Sequence, residues 1–528
     1  MPTQTSTASR LAAATPVDRD RFADLLRVAS IVVVVAGHWL MAVVGWRGGQ
    51  VETGNAIALA PGLWLATWLL QVMPLFFFVG GLANLVSARR DGGWVAFIRG
   101  RAARLLRPTV AFLAVWTAAA AALHLAGVPE AILRPATRLV VQPLWFLGLY
   151  LLVVALAPAM LRLHRRFGPA VVVWLGVAAG AADLAGRLPG LDRLADLNFL
   201  LVWLFAHQLG FLYADGTLAR WPRRAHAAMA AGGLAALAGL TASGAWPPSM
   251  VGLPGDRVSN MNPPSLCIVA LTVWLVGLAM LVRDPVGRWL TRPRPWALVV
   301  TAGSSLMTLF LWHLTALLLA VLVLHPLGVT RPIPGTATWW ALRPLWLLVP
   351  AVLLVPLVAL FSRLERPRAL GRVPAPAGLA PILLAVAGTA AVILGILGVA
   401  VGGIWPLPGS PANLAGLHIT PGASLLCLPA GMLLLALAGT SPGHGPAVGS
   451  PGDRTAAATA PRRRERDPSA GRRAGGGVAG AGRAGGCRAR VHRPPCGRGR
   501  GRPRAGGRVT PGRGPVGADG GGVPRLAR

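Results

Sequence analysis

The sequence has no lysine, few acidic residues and few cysteines. Only 17 of its 528 residues are Asp or Glu, and charged side chains make up 13% of the chain. Soluble domains carry about twice that share of charge, so a soluble globular enzyme is excluded. The four cysteines form no C-x-x-C pair, which excludes a disulfide-stapled secreted domain. Apolar residues make up 54% of the chain, and this composition predicts a polytopic membrane protein.

The positive charge is divided between two different regions. Since lysine is absent, arginine supplies all 51 basic residues and a net charge of +34, which in a soluble protein would indicate nucleic-acid binding. Residues 1–440 contain 32 arginines and 13 acids among long apolar runs, whereas 441–528 contain 19 arginines and 4 acids among Gly, Ala and Pro. Only the first region can bury a core. We therefore expect no nucleic-acid partner for the folded part.

Twelve apolar runs are long enough to cross a bilayer as helices. They predict an all-α fold, a polytopic bundle of transmembrane helices. We expect the second run, which contains Pro74, and the ninth to be tilted or broken. The predicted spans are 27–46, 59–86, 108–127, 142–161, 169–186, 197–214, 225–246, 264–282, 296–323, 341–362, 377–403 and 414–439.

The arginines alternate with these spans. The segments outside the spans lie alternately on the two sides of the membrane. Of the 32 arginines in residues 1–440, 24 lie on one side, which we call the arginine-rich side, and 8 lie on the other, the arginine-poor side. Cytoplasmic loops carry the excess of positive charge, so this pattern predicts a multi-pass plasma-membrane protein with both termini in the cytoplasm. Two longer loops on the arginine-poor side, 247–263 and 324–340, are lids over a site or plain connectors.

The first span carries the most informative polar residues. Arg27 and His38 are eleven residues apart, which is about 20° from whole helical turns, so both lie on one face with His38 near mid-bilayer. Asp24 precedes Arg27 by one turn and is placed to pair with it. An imidazole takes up and returns a proton near neutral pH, as acyl transfer to a hydroxyl requires. The alternative is an interfacial arginine and a helix-packing histidine.

Further polar residues lie in a loop and in later spans. Arg101 and Arg104 are three residues apart, hence neighbours on a helix. They belong to a loop of six arginines that suits a phosphate-bearing ligand, although the positive-inside rule and anionic lipid also explain it. His313 lies in the outer part of the ninth span. We expect Asn84, His207 and Gln208 to form hydrogen bonds between helices.

These residues resemble the acyltransferase 3 family of bacterial integral-membrane acyltransferases over residues 21–362. The resemblance rests on segments that occur in the family's order. It departs at Gly80–Gly81, where the family often has Ser-Gly, so a hydroxyl has no counterpart there. The segments are FADLLRVASIVVVVAGHWL with Arg27 and His38, MPLFFFVGGL, RAAR with Arg101 and Arg104, PLWFLGLYLLVVALAP, and TLFLWHL with His313.

The resemblance implies a fold, a reaction and roles for these residues. The family core has ten helices, so the last two spans would be an addition. An acyl group, acetyl or another short one, would pass from cytoplasmic acyl-CoA to a hydroxyl of a glycan, glycolipid or secondary metabolite. His38 would be the catalytic histidine, His313 a second one on the acceptor side, and Arg27, Arg101 and Arg104 would hold the donor. The implied partners are the bilayer, acyl-CoA and a carbohydrate or lipid acceptor, without a metal.

The predicted domains are a disordered cytoplasmic N-terminus at 1–20, the acyltransferase-like domain at 21–362, two additional helices at 363–440 and a disordered tail at 441–528. The tail is either an arm that contacts anionic lipid or nucleic acid, or an out-of-frame extension of a GC-rich gene.

A transporter of a sugar or lipid, and a membrane scaffold, are the alternative functions. The sequence has no P-loop, which argues against ATP-driven transport, and no G-x-S-x-G or H-x-x-x-D motif, which argues against a hydrolase of that type.

Overall fold

The structure is a computed structural model of the chain. It describes residues 10, 13–16, 19–47, 50–90, 93–253, 258–365, 378–409, 411–414 and 416–439, without the side chains of 45–53 and 90. The predicted tail and most of the predicted N-terminal segment lie outside these residues.

Helices make up most of the described part. In chain order they are α1 (Arg21–Met41), α2 (Trp64–Leu70), α3 (Met73–Arg90), α4 (Trp94–Leu125), α5 (Glu130–Val141), α6 (Leu144–Phe167), α7 (Ala170–Ala185), α8 (Asn198–Ala214), α9 (Arg223–Ala242), α10 (Leu266–Trp289), α11 (Pro293–Gly303), α12 (Leu306–Leu324), α13 (Ala337–Ala341), α14 (Arg343–Phe361), α15 (Ala380–Gly402) and α16 (Pro421–Leu437). The sheet in the described residues is two antiparallel hairpins, β1 (Ala42–Arg47) with β2 (Gln50–Asn55) and β3 (Ala412–Leu414) with β4 (Leu417–Ile419).

The predicted membrane bundle is confirmed. Ten helical segments of the described part are long and apolar enough to cross a membrane, and α7 and α16 are shorter apolar helices. Each of the twelve predicted spans therefore contains an apolar helix. Nine of the long segments and the shorter α7 precede residue 366, and α15 and α16 follow as a pair.

The first helix differs from its predicted span, 27–46, at both ends. Asp20 caps it by accepting a hydrogen bond from the backbone N–H of Ala23 at 2.9 Å, so the charged turn that starts at Arg21 is also helical. After Met41 the backbone becomes extended and enters β1, where β-branched valines favour a strand. His38 consequently lies one turn from the helix end and not near the middle of a span.

The second and ninth spans are broken, as predicted. The first break lies at Gln71 and Val72, between α2 and α3, and Pro74 is the second residue of α3, where proline is tolerated. The other break lies at Ser304 and Ser305, between α11 and α12.

The described part of the long loop between α9 and α10 is packed into the helix bundle. Its residues Met250 and Asn260 are fully buried. The backbone N–H of Met250 donates to the Thr67 hydroxyl at 2.9 Å, and its carbonyl accepts from the Gln71 side chain at 3.2 Å. The described part of this loop therefore fills the gap at the break between α2 and α3, which neither a mobile lid nor a surface connector would do.

Close helix crossings depend on glycine. A Cβ at Gly81 would lie 2.0 Å from the carbonyl oxygen of His207, and a Cβ at Gly210 would lie 2.0 Å from that of Phe78. The backbones of α3 and α8 therefore touch, as small residues permit in membrane bundles.

The last two helices pack on each other and, through α15, on α6. A Cβ at Gly148 of α6 would lie 2.6 Å from the Leu397 side chain of α15, so the leucine packs directly against the α6 backbone at this glycine. At the opposite end of the pair, the buried Arg99 of α4 donates to the carbonyl of Ala436 at 3.2 Å. The pair is thus fitted to the bundle and not a loose appendage.

Candidate active site

Helices α1 and α12 bring His38 and His313 together. Nδ1 of His38 lies 2.9 Å from Nε2 of His313, and the two rings are stacked with their planes 20° apart. His313 is fully buried, whereas His38 is partly exposed. The sequence predicted both histidines from separate motifs, and the structure adds their contact.

The surrounding groups define which ring nitrogens carry protons. Nδ1 of His313 lies 2.6 Å from the carbonyl oxygen of Phe310, which can only accept, so His313 Nδ1–H is the donor. In a neutral His313, Nε2 is then an acceptor, and His38 Nδ1–H donates to it. This chain leaves Nε2 of a neutral His38 without a proton, which is the state that a general base requires.

Three side chains hold the end of α1 beside this pair. The Trp39 indole N–H donates to the carbonyl of His313 at 2.8 Å, and the Trp346 indole N–H donates to the carbonyl of Trp39 at 2.8 Å. Arg343 is buried, donates to the carbonyl of Ala42 at 3.0 Å and lies 3.4 Å from the centre of the Trp339 ring. The contacts to the carbonyls of Trp39 and Ala42 satisfy acceptors that the end of α1 leaves open, and the contact to His313 joins α1 to α12 beside the histidine pair.

The start of α12 is fixed by a carboxylate. Glu365 accepts hydrogen bonds from the backbone N–H groups of Met307 at 3.3 Å and Thr308 at 2.6 Å. A carboxylate at a helix N-terminus satisfies open donors and is favoured by the helix dipole. Neither Glu365 nor Arg343 was predicted from the sequence, although an acidic residue in an arginine-rich segment and an arginine at the start of an apolar run are visible signals.

Arg27 lies apart from the histidines. Its predicted ion pair with Asp24 is present at 3.2 Å. Its Nε atom is buried and has no hydrogen-bond partner among the described residues. The rise of about 16 Å along α1 between Arg27 and His38 keeps this guanidinium at the arginine-rich end.

Arg101 and Arg104 lie on a helix, as their spacing predicted, and the segment predicted as a loop between spans is helical because α4 begins at Trp94 and arginine is a good helix former. Nη2 of Arg101 donates to the carbonyl of Ala83 at 2.7 Å and to the hydroxyl of Ser87 at 2.8 Å, so Arg101 fastens α3 to α4. Arg104 is exposed. The structure thus places these arginines toward the arginine-rich ends of their helices and brings none of them to the histidine pair.

The other polar residues of the spans form hydrogen bonds between helices, as predicted. Nδ2 of Asn84 on α3 lies 3.0 Å from Nε2 of His207 on α8, and Nε2 of Gln208 on α8 lies 2.9 Å from Nδ1 of His164 on α6. Nε2 of His164 in turn contacts Asp215 at 2.9 Å.

Asp215 follows α8 at the arginine-rich side. Burial alone would raise the pKa of this carboxyl, but hydrogen bonds from the Thr217 side chain and backbone, together with His164, hold the pKa below its usual value. The carboxylate is therefore stabilised as an anion at this end of the bundle.

Gly80 marks where the sequence departs from the family pattern. A Cβ at Gly80 would lie 2.9 Å from Cε2 of the Tyr150 ring. The Tyr150 ring would therefore have to shift to admit a serine side chain at this position.

Potential metal ligands do not cluster in the part of the chain that the structure describes. No group of three or more His, Cys, Asp or Glu side chains is placed there to hold an ion.

The described residues contain ten helical segments long and apolar enough to cross a membrane and two shorter apolar helices, which define a multi-pass membrane protein. The chain belongs to the acyltransferase 3 family, whose model, described as an acyltransferase domain, matches residues 20–363. The protein is therefore a membrane acyltransferase, and the family predicted from the sequence is confirmed. Comparisons with curated proteins and with solved structures gave no match.

Proposed function

We propose that the protein transfers a short acyl group from cytoplasmic acyl-CoA to a hydroxyl group of a glycan, glycolipid or secondary metabolite. The observation that carries the proposal is the hydrogen-bonded chain from the Phe310 carbonyl through His313 to His38. A base oriented by a second group is the arrangement that activates weak nucleophiles such as hydroxyls.

In the proposed reaction, Nε2 of His38 takes the proton of the acceptor hydroxyl while the hydroxyl oxygen forms a bond to the acyl carbon. The carbon–sulfur bond breaks, and the proton passes from His38 to the thiolate. The products are an ester and free coenzyme A, so atoms and charge balance. The hydrogen bond to His313 holds the His38 ring in the required orientation and tautomer throughout.

The donor would approach from the arginine-rich side, which we propose is cytoplasmic. Arg27 and Arg104 are the better candidates for phosphate contacts, since Arg27 has a buried Nε without a described partner and Arg104 is exposed. Guanidinium groups bind phosphates with charge-assisted hydrogen bonds. Arg101 would act indirectly by holding α3 and α4 together. We place the enzyme in the plasma membrane with both termini in the cytoplasm.

The reaction class can be tested by mass profiling of envelope glycans, lipids and secreted metabolites. The comparison is between cells that lack the chain and the same cells with the chain restored. We expect one set of molecules to lose an acyl group while their unacylated forms remain. If no acyl group is lost, the proposal is wrong. Loss of a whole glycan or lipid from the outside, with accumulation inside, would instead indicate a transporter.

A further inference from the structure

A cavity of about 380 Å³ lies between α5 and the segment that joins α15 to α16. Its lining includes Arg134 and Arg138 of α5, and Gly403, Trp405 and Asn413 of the joining segment. We refer to it as the Arg138 cavity. The arginines lie within the residues matched by the family model, whereas the opposite wall lies beyond residue 363. The additional helix pair therefore completes this cavity.

The two arginines point to a negatively charged ligand. They are four residues apart, so they lie on the same face of α5, and both are exposed. The guanidinium group of Arg138 has no ion pair or hydrogen bond to another described residue. Nε of Arg134 lies 3.7 Å from Glu130, a long contact that leaves most of its donors open. Residues 401–421 contain no Asp or Glu, so these two guanidinium groups outnumber the one nearby carboxylate.

Two further lining residues, Asn413 and Trp405, offer a hydrogen-bond donor and a flat surface. Oδ1 of Asn413 accepts from the backbone N–H of Gly416 at 2.8 Å, which leaves the amide N–H groups of Asn413 as donors. The Trp405 indole N–H donates to Glu130 at 2.9 Å, which fixes the orientation of the indole ring. Donors that include paired guanidinium groups match a carboxylate or phosphate, and a fixed aromatic ring can pack against the apolar face of a sugar.

The position of the cavity favours a saccharide over a phospholipid. From α15 it is lined only by Val401 and Gly402, and from α16 only by Pro421. These are the last and first residues of the two helices. Exposed apolar side chains along the helices, such as Leu383 and Leu426, would receive lipid chains but do not line the cavity. The alternation of crossings also places it on the side where α1 ends next to His38.

We propose that the Arg138 cavity binds the anionic group of an acidic saccharide, and that this saccharide is the acceptor or part of it. The assignment as acceptor rests on the proposed function, whereas the binding itself does not.

The test measures ligand binding to the full chain purified in detergent, by the shift of its thermal unfolding midpoint. D-glucuronate is the probe, D-glucose is its uncharged match, and inorganic phosphate and phosphatidylglycerol are separate arms. We expect stabilisation by glucuronate and not by glucose. Arg138→Gln should weaken glucuronate binding about tenfold or more, since it removes a charged hydrogen-bond donor. Arg193→Gln, which changes an exposed arginine between α7 and α8 on the same side, should leave binding unchanged.

A second variant gives a change of opposite sign. Glu130→Gln removes the negative charge beside Arg134 but keeps an oxygen to accept from Trp405, so it should tighten glucuronate binding. The proposal is overturned if glucuronate gives no shift, if Arg138→Gln binds like the parent, or if only phosphatidylglycerol binds in an Arg138-dependent way. His38→Ala should still bind glucuronate. Failure of the proposed transfer reaction would therefore leave glucuronate binding intact, whereas failure of the saccharide site would abolish it.

Discussion

Single side chains around His38 decide which of its ring nitrogens can take a proton. His38 and His313 are 275 residues apart, yet their rings share a hydrogen bond. The sequence pointed to His38 by its spacing from Arg27, and to both residues by the resemblance to the family. Their contact could not be predicted, since it depends on how α1 and α12 pack. The same applies to Arg343 and Glu365, whose roles come from backbone groups at the ends of other elements.

Replacement of Trp346 by phenylalanine should weaken transfer through the position of α1. The change removes the indole donor to the Trp39 carbonyl and leaves a buried acceptor open, which costs about 1–3 kcal/mol. We expect a lower unfolding midpoint and several-fold slower transfer. Trp94→Phe is the matched control, because Trp94 donates to the carbonyl of Ala155 in another part of the bundle. Equal losses of transfer in both variants would contradict a role specific to α1.

The Asp215 carboxyl predicts a pH-dependent stability. Its pKa is lower in the folded chain than the usual 3.8, so its contribution is fully present above that value and is lost as the pH falls through the folded pKa. Asp215→Asn should therefore lower the unfolding midpoint at neutral pH. The difference from the parent should shrink in strong acid, and a difference independent of pH would show that charge is not the cause.

Helices show what the sequence determines well and what it determines poorly. The existence of all twelve apolar helices followed from hydropathy and arginine alternation. Their ends did not, since the end of α1 depends on β1 and on side chains of α14, and the break before α3 is held by a distant loop. Close approaches between helices were also not predicted, because glycines on an apolar helix do not show which of them faces a partner.

Two adjacent glycines of α9 allow a direct test of the close contact between α9 and α10. A Cβ at Gly233 would lie 2.4 Å from the backbone nitrogen of Trp274 on α10, whereas a Cβ at Gly232 meets nothing within 4 Å. Gly233→Ala should push the helices apart and cost about 1–3 kcal/mol. Gly232→Ala should be neutral, or stabilising by up to about 1 kcal/mol through helix propensity. The unfolding midpoints of the two variants in detergent are the measurement, and equal midpoints would contradict the close crossing.

At the scale of the whole molecule, the distribution of arginines and the order of the apolar helices indicate the same membrane topology. The family core and an additional helix pair share one bundle, and the Arg138 cavity lies where the two meet. The sequence predicted the addition as two further spans. It did not predict the cavity, because the arginines and the wall opposite them are more than 260 residues apart.

The proposed orientation can be tested by labelling of introduced cysteines. Ser243 and Thr291 are both exposed and lie at opposite ends of crossings, on the arginine-poor and arginine-rich sides. With the four native cysteines replaced by alanine, Ser243→Cys should react with a membrane-impermeant maleimide in intact cells. Thr291→Cys should react only after permeabilisation. The reverse pattern would place the donor arginines outside the cell.

The most direct test of the central claim is the amount of acylated product made by histidine variants in cells that lack the native chain. Loss of a general base lowers rates by about 10²–10⁴-fold, so His38→Ala should make little or no product while it is inserted at the parent level. His313→Ala should be reduced less, because it loses the orientation of the base and not the base itself, and the exposed His418→Ala should match the parent. Product at the parent level from a correctly inserted His38→Ala would contradict the account.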